Sequence, residues 1–302
     1  MPFSAVEPTL LVTDPMPARE AAVQHYLRTG EHDVRFRGWP GGNLFEAARA
    51  GNAVLRDALI AELRSRAVSS VLPSALLAID VAALTRRKVT PMVQGLFPQP
   101  ERAAVLAMLE RSVIFLVPDN MDAVLRSTPW LHTAWSLANL YLASIGAPML
   151  SQQARSIVGL SEETTCYVSV DYFPNRDPFA DYVVHEAAHI FHNCKRVTAG
   201  LPQMRRREWL LDIDYGKRET FAYACEAYSR ILALGDTAAR RQAALEAHAE
   251  GPMPGDETVD ADEYLDILRE AVEARNGWKR ILQRCAPPRA TKPRASTMVV
   301  SA

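Results

Sequence analysis

Cysteine is scarce in this sequence: the 302 residues include four cysteines, and no two of them form a Cys-x-x-Cys pair. Their spacing is not that of a disulfide framework. In a chain of this length Cys166, Cys194, Cys225 and Cys285 are therefore predicted to be reduced thiols. Reduced thiols favour a cytoplasmic location.

The sequence also has no large excess of charge of either sign, since its formal net charge is -1. The sequence therefore predicts neither nucleic acid nor an anionic membrane as a partner. The first residues lack a basic segment followed by an apolar one, so we expect no secretory signal. The best candidate for a membrane span, residues 130–150, has no charged residue but contains His132, Asn139 and Pro148. A bilayer would penalise these groups, and we expect a buried core helix instead.

The overall composition is that of a globular protein, with 48% hydrophobic and 23% charged residues. Apolar residues recur at helical spacing in the first third, whereas β-branched and aromatic runs at 112–117 and 164–173 predict strands. We therefore expect an α+β fold that is predominantly helical. The predicted organisation is a helical accessory domain at 1–110, a catalytic domain at 111–250, a C-terminal helix at 251–286 packed on the body, and a disordered tail at 287–302.

One stretch carries a chemical pattern, His-Glu-Ala-Ala-His at 185–189. Helical residues four apart lie on the same face, so His185 and His189 can direct two imidazoles at one metal ion. Glu186 projects beside them, where it can accept a proton from an attacking water. We place the start of this helix at Asp177, a suitable N-cap. Two imidazoles and a carboxylate on so apolar a helix need partners, and a metal ion would satisfy them.

A catalytic zinc ion usually takes three protein ligands, so a third is required. His192 is seven residues, roughly 10 Å, from His185, and we expect it to pack against the site rather than bind the metal. Glu219 and Glu226 lie two turns apart on one face of a later predicted helix. Either carboxylate can be the ligand, with the other bonded to a ligand imidazole. Glu226 also has Arg230 one turn on as an alternative partner.

Over residues 112–235 this arrangement resembles a gluzincin, a zinc metallopeptidase with a His-Glu-x-x-His helix and a glutamate on a later helix. Glu219 stands in Glu-Thr-Phe-Ala, which matches one form of that later helix. Position 223 is a tyrosine, whereas another form has an aspartate there. The resemblance implies a zincin-like catalytic domain, with a small sheet packed on helices, and a zinc ion held by His185, His189 and Glu219.

The resemblance also implies a function: zinc-dependent hydrolysis of a peptide bond in a protein or peptide substrate, by an intracellular regulatory or processing protease. Glu186 would be the general base, and Tyr223, or Tyr215 in its place, would donate to the oxyanion. Residues 164–170 of the strand at 164–173, which is expected at a sheet edge, would bind an extended peptide by strand addition.

The competing interpretation is a non-catalytic regulatory or interaction protein on a zincin-like fold, with a structural metal or none. Glu186 favours an enzyme, because a structural metal site needs no base beside its ligands. The sequence predicts neither the cleavage specificity nor the oligomeric state.

Overall fold

The structure, a computed structural model, describes residues 15–67, 79–154, 157–204 and 207–288. Among these residues it has eleven α-helices and a single three-stranded sheet. The predicted α+β, predominantly helical class is confirmed, whereas the zincin-like fold stays a prediction.

The described residues form the following helices and strands. In chain order they are α1 (Pro15–Thr29), α2 (Leu44–Arg66), α3 (Val81–Leu96), α4 (Gln99–Leu109), β1 (Val113–Phe115), α5 (Pro118–Ser127), α6 (Leu131–Ser144), β2 (Gly159–Glu162), β3 (Thr165–Val168), α7 (Tyr182–Asn193), α8 (Arg218–Leu234), α9 (Ala238–Ala249), α10 (Ala261–Glu273) and α11 (Gly277–Cys285). Single 3-10 turns lie at Val170–Tyr172 and Tyr215–Lys217.

The chain divides into two compact units, each built from two segments. The first comprises Met1–Leu77 and Leu116–Val158, and its described elements are α1, α2, α5 and α6. The second comprises Ala78–Phe115 and Gly159–Ala302, and it contains the sheet and the remaining helices. These units differ from the sequence ranges expected for the domains, because α3 and α4 group with α7. The domain limits near residues 110 and 250 stay a prediction.

In the first unit, a buried arginine ties the helices together. Arg56 of α2 donates to the hydroxyl and carbonyl oxygens of Thr128, at 2.9 and 2.7 Å, and to the carbonyl of Leu125 at the end of α5. The Tyr26 hydroxyl of α1 donates to the carbonyl of Leu131 at 2.7 Å. Hydrogen bonds of this kind satisfy the polar groups that the core encloses.

Helix α6 is the apolar segment that we expected to be a core helix. Leu137, Ala138 and Leu142 are fully buried in it. No helix in the described part of the chain is long and apolar enough to cross a membrane.

The sheet of the second unit has the order β1-β3-β2. β1 pairs in parallel with β3, as Ile114 opposite Tyr167 illustrates, and β2 pairs antiparallel with it, with Ser161 opposite Cys166. Both runs predicted as strands contain one, but the second run is a strand only over Thr165–Val168 and continues as the 3-10 turn Val170–Tyr172. The expectation that the second run lies at an edge is wrong, because β3 is central and both of its sides are already hydrogen-bonded. Strand addition at 164–170 is therefore excluded, and β2 is the edge strand next to α7.

Helix α7 begins at Tyr182 with Asp181 at the N-cap, four residues later than the predicted cap at Asp177. The reason is local: the Asp177 carboxylate accepts a hydrogen bond of 2.8 Å from the amide of Phe179. Such a turn competes with the first turn of a helix.

The predicted C-terminal helix is in fact two helices, α10 and α11. They are separated by a break at 274–276, where the Asn276 side chain caps α11 by accepting from the amide of Lys279. From residue 289 onward the predicted tail lies outside the described residues.

Candidate metal centre

Helix α7 presents His185 and His189 from the same face, one turn apart. The surrounding residues of this helix are apolar and fully buried: Val183, Val184, Ala187, Ala188, Ile190 and Phe191. The two histidine side chains are themselves only 11% and 12% exposed. The helix therefore holds two imidazoles in a largely dry environment, where each nitrogen needs a partner.

Helix α8 packs against α7 and brings Glu219 to the two histidines. Glu219 Oε2 lies 3.4 Å from His189 Nε2 and 3.8 Å from His185 Nε2, and the two Nε2 atoms are 3.2 Å apart. The first turn of α8 thus completes a group of three donor atoms. All three lie within 4.8 Å of one another, and together they could hold a metal ion.

These separations fit a tetrahedral ion. Zinc bonds of about 2.0–2.1 Å place neighbouring ligand atoms about 3.3 Å apart, and the three measured separations are 3.2, 3.4 and 3.8 Å. An ion between Glu219, His185 and His189 would therefore need only small side-chain adjustments. The donor set, two imidazoles and one carboxylate, is also one that catalytic zinc uses.

Glu226, the other carboxylate weighed as a ligand, contacts the opposite side of His185. Its Oε2 lies 3.0 Å from His185 Nδ1, and its Oε1 accepts from the amide of Asp181 at 2.6 Å. A proton on Nδ1 leaves Nε2 with a free lone pair toward Glu219. The alternative pairing with Arg230 is not formed, since Arg230 donates to the carbonyl of Pro178.

His192 contacts His189 instead of joining the three donor atoms. Its Nε2 lies 3.0 Å from His189 Nδ1, and its Nδ1 lies 3.0 Å from Asn193 Oδ1. Burial and the charges of His189 and Arg218 lower the pKa of His192 to about 3, so the ring is neutral. The Nε2 atom of a neutral His192 can accept a hydrogen bond from His189 Nδ1–H, which leaves His189 Nε2 without a proton and available to a metal ion.

The charges around the cluster shift its protonation. Burial lowers the pKa of His185, but the hydrogen bond and charge of Glu226, with Glu186 and Glu219 adding, outweigh it and raise the pKa to about 9. Burial raises the pKa of Glu219, but the hydrogen bond and charge of His189 outweigh it, and the pKa lies below its usual value. The negative charges of Glu226, Glu186 and Glu219 thus stabilise a positive charge at His185. That positive charge can be a proton on the ring or a metal cation beside it.

Glu186 lies beside the cluster and is held by strand β2. Ser161 Oγ is 2.6 Å from Glu186 Oε2 and 2.8 Å from the Glu186 carbonyl oxygen. The carboxyl group also packs against Gly159, where an added Cβ would lie 2.3 Å from Glu186 Oε1. Nothing in the sequence pattern indicated Ser161 or Gly159, because their relevance arises only when the sheet packs on α7.

Tyr223 lies one turn after Glu219 and packs on His185, with ring centroids 4.5 Å apart. Burial, together with the charges of Glu226 and Glu219, raises the pKa of Tyr223 to about 12, so its hydroxyl keeps its proton. The alternative, Tyr215, is 82% exposed and stacks on Arg218. Of the two tyrosines, the one in contact with the histidine cluster is therefore Tyr223.

Lys88 of α3 is a further residue that the sequence did not indicate. Its ammonium lies 2.7 Å from Asp181 Oδ2, at the start of α7. Asp181 is buried, and its other carboxylate oxygen has no hydrogen-bond partner. Burial lowers the pKa of Lys88, but the charge of Asp181 and their hydrogen bond outweigh it and raise the pKa. This ion pair fixes the end of α7 from which His185 projects.

Comparisons of the chain with protein-family models, curated proteins and solved structures gave no match. We therefore infer the function from the geometry of the cluster and from the pattern at 185–189.

Proposed function

We propose that the chain is a zinc-dependent peptidase whose metal is held by His185, His189 and Glu219. The observation that carries the proposal is the convergence of His185 Nε2, His189 Nε2 and Glu219 Oε2 at separations of 3.2–3.8 Å. A hydrolase also needs a base beside the metal, and Glu186 follows the first ligand directly on the same helix.

We prefer zinc over other ions because the Glu186 carboxylate, a suitable general base for hydrolysis, directly follows the first ligand. Two histidines and one carboxylate also bind Fe(II) in oxygenases. Hydrolysis, however, needs a general base, and a carboxylate next to the ligands serves that purpose. A bound zinc ion supplies a Lewis acid that polarises the scissile carbonyl and lowers the pKa of the attacking water.

The residues of the chain perform the proton transfers in this proposal. Glu186 accepts the proton of the attacking water at its carboxylate and returns it to the leaving amine. Ser161 orients that carboxylate by its hydrogen bond of 2.6 Å. Glu226 and His192 keep the two ligand imidazoles in the tautomers that present Nε2.

Tyr223 is the proposed donor to the oxyanion. It keeps its proton at neutral pH and lies against His185. Pre-positioned donors of this kind stabilise the charge that develops in the transition state. The proposed substrate is an extended peptide or a segment of a protein, paired with the outer side of β2, the strand that carries Ser161 and forms an edge of the sheet among the described residues.

The proposal is tested with the zinc-loaded protein and its Glu186→Gln variant on a complex peptide mixture, with new N-termini identified by mass spectrometry. Both proteins should contain about one zinc per chain, because Glu186 is not a ligand, but only the wild type should create new termini. Identical termini with both proteins would exclude Glu186 as the base. A zinc-loaded wild type that creates none would favour the non-catalytic alternative.

A further inference from the structure

Arg218, the first residue of α8, has an unsatisfied guanidinium beside the candidate metal centre. Its Nε atom is enclosed by the protein and has no hydrogen-bond partner. Its terminal nitrogens also make no hydrogen bond or ion pair with any residue that the structure describes, and they are not enclosed. An enclosed donor without a partner costs free energy, and the two terminal nitrogens are the part of the guanidinium that a ligand can reach.

Two other arginines of the same unit have protein partners. Arg196, which is 1% exposed, forms a two-pronged pair with the Glu101 carboxylate, at 2.7 and 3.2 Å. Arg230, on the same helix as Arg218, donates to the carbonyl of Pro178. Arg218 instead stacks on the ring of Tyr215, with 4.8 Å from Cζ to the ring centroid. Stacking of this kind orients the plane of a guanidinium without using its donors.

Arg218 directly precedes Glu219, a proposed metal ligand, and neighbouring Cα atoms are about 3.8 Å apart. Each residue of an extended peptide adds about 3.3–3.6 Å of length. A peptide that is bound at the metal centre and follows the start of α8 would therefore come within reach of Arg218.

We propose that Arg218 binds a carboxylate of the peptide substrate, which would make the protein selective for peptides with a negative charge close to the scissile bond. This inference rests on the proposed function for its substrate class. A planar guanidinium with free terminal nitrogens matches the two oxygens of a carboxylate, and such charged pairs are stronger than neutral hydrogen bonds. The carboxylate is either the C-terminus of the peptide or an aspartate or glutamate side chain.

The test measures binding, so it does not depend on hydrolysis. The probes are three fluorescein-labelled alanine-rich hexapeptides: a free C-terminal acid, the matching C-terminal amide, and that amide with one glutamate. Fluorescence anisotropy gives their affinities for zinc-loaded protein carrying Glu186→Gln, with and without Arg218→Gln. We expect one or both carboxylate-bearing peptides to bind about 10- to 100-fold more tightly than the plain amide, and Arg218→Gln to remove that preference.

The pattern among the peptides identifies the source of the carboxylate. Tight binding of the free acid alone indicates the C-terminus, and tight binding of the glutamate amide indicates a side chain. Equal binding of all three peptides, no measurable binding of any, or a preference that survives Arg218→Gln would overturn the proposal. A wild-type protein that hydrolyses nothing but keeps an Arg218-dependent preference would instead reject the proposed function and retain the carboxylate site.

Two further variants control for charge and folding. Arg240→Gln removes one positive charge from an exposed arginine of α9 that pairs with Asp236, and it should keep the full preference. Arg218→Lys keeps the charge without the planar donor pair, so it should give an intermediate preference, and it replaces Arg218→Gln if that variant loses zinc or fold. If Arg218→Lys kept the full preference for carboxylate-bearing peptides, the positive charge at position 218 would be sufficient to recognise the carboxylate.

Discussion

At the scale of single residues, Glu219 and Glu226 have different roles on the same helix. Glu219 faces both Nε2 atoms, whereas Glu226 faces His185 Nδ1 and the amide of Asp181. We predict that Glu219→Ala loses zinc at micromolar free metal, because it removes a direct ligand. Glu226→Ala should retain zinc with about 10- to 100-fold weaker affinity, since it removes only a partner of the ligand imidazole.

The measurement is a competition with a chelator of known affinity, made on both variants and the wild type at the same pH. Circular dichroism of each variant controls for folding. The reverse ranking, with Glu226→Ala losing zinc and Glu219→Ala keeping it, would move the metal to the other carboxylate.

The glycine beneath Glu186 makes a second prediction at this scale. A Cβ at Gly159 would lie 2.3 Å from Glu186 Oε1, at the far end of a flexible side chain. Gly159→Ala should therefore displace the carboxylate and leave the fold and the zinc intact. We expect kcat to fall by about 100-fold, because misplacing a catalytic group by about 1 Å has that effect.

The matched control is Gly255→Ala, because a Cβ at Gly255 meets nothing within 4 Å. Turnover of a peptide substrate, zinc content and melting temperature are measured for both variants. Unchanged turnover in Gly159→Ala with zinc bound would argue against the position of Glu186 as a determinant of the rate.

The metal-ligand and general-base candidates that the sequence indicated share a simple property: each lies on one of two helices at a regular spacing. The convergence of His185 and His189 follows from helical periodicity alone, and the structure adds Glu219 where it was expected. Ser161 and Lys88 were not predicted, because they lie 25 and 93 residues along the chain from their partners Glu186 and Asp181. Contacts between segments that are distant in the chain produce no periodic pattern in the local sequence, so they cannot be predicted from it.

At the scale of elements, the position of α7 depends on an ion pair with α3. Lys88 is the partner of the Asp181 carboxylate, which is 1% exposed. We predict that Lys88→Met destabilises the protein by about 3 kcal/mol, because removing one member of a buried pair leaves an uncompensated charge. Chemical denaturation with urea measures the loss.

A double variant separates charge from packing in this prediction. Adding Asp181→Asn to Lys88→Met removes the buried carboxylate charge that has lost its partner. The double variant should therefore recover part of the free energy of unfolding that Lys88→Met loses. Arg269→Met serves as control, because Arg269 and its partner Asp266 are both more than half exposed, and exposed pairs contribute about 1 kcal/mol or less. Equal losses for Lys88→Met and Arg269→Met would mean that the Lys88 pair does not hold α7.

The elements also show where sequence reasoning fails. Helix and strand types followed from periodicity, but the start of α7 did not, because the Asp177 side chain forms a turn that competes with helix formation. The central position of β3 could not be predicted either. Its alternating residues specify a strand, whereas the order β1-β3-β2 depends on β2, a strand of four half-buried residues with a weak pattern.

At the scale of the whole molecule, the proposed ligands and their supporting residues all belong to the second compact unit, although they come from α3, β2, α7 and α8. Zinc that binds only the folded cluster must therefore stabilise that unit by mass action. At a free zinc concentration 100 times the Kd, the gain is about 2.7 kcal/mol. For a unit of this size such a gain raises the melting temperature by roughly 5–10 °C.

We therefore predict that adding zinc to the chelator-treated protein raises its melting temperature by roughly that amount, and that His189→Ala abolishes the increase. Calorimetric scans over a series of free zinc concentrations, buffered by a chelator, give the dependence. Magnesium at the same concentrations should have little effect, because it prefers oxygen ligands in octahedral geometry. An increase of equal size in the wild type and in His189→Ala would mean that zinc binds elsewhere, since the cluster then lacks one of its three ligands.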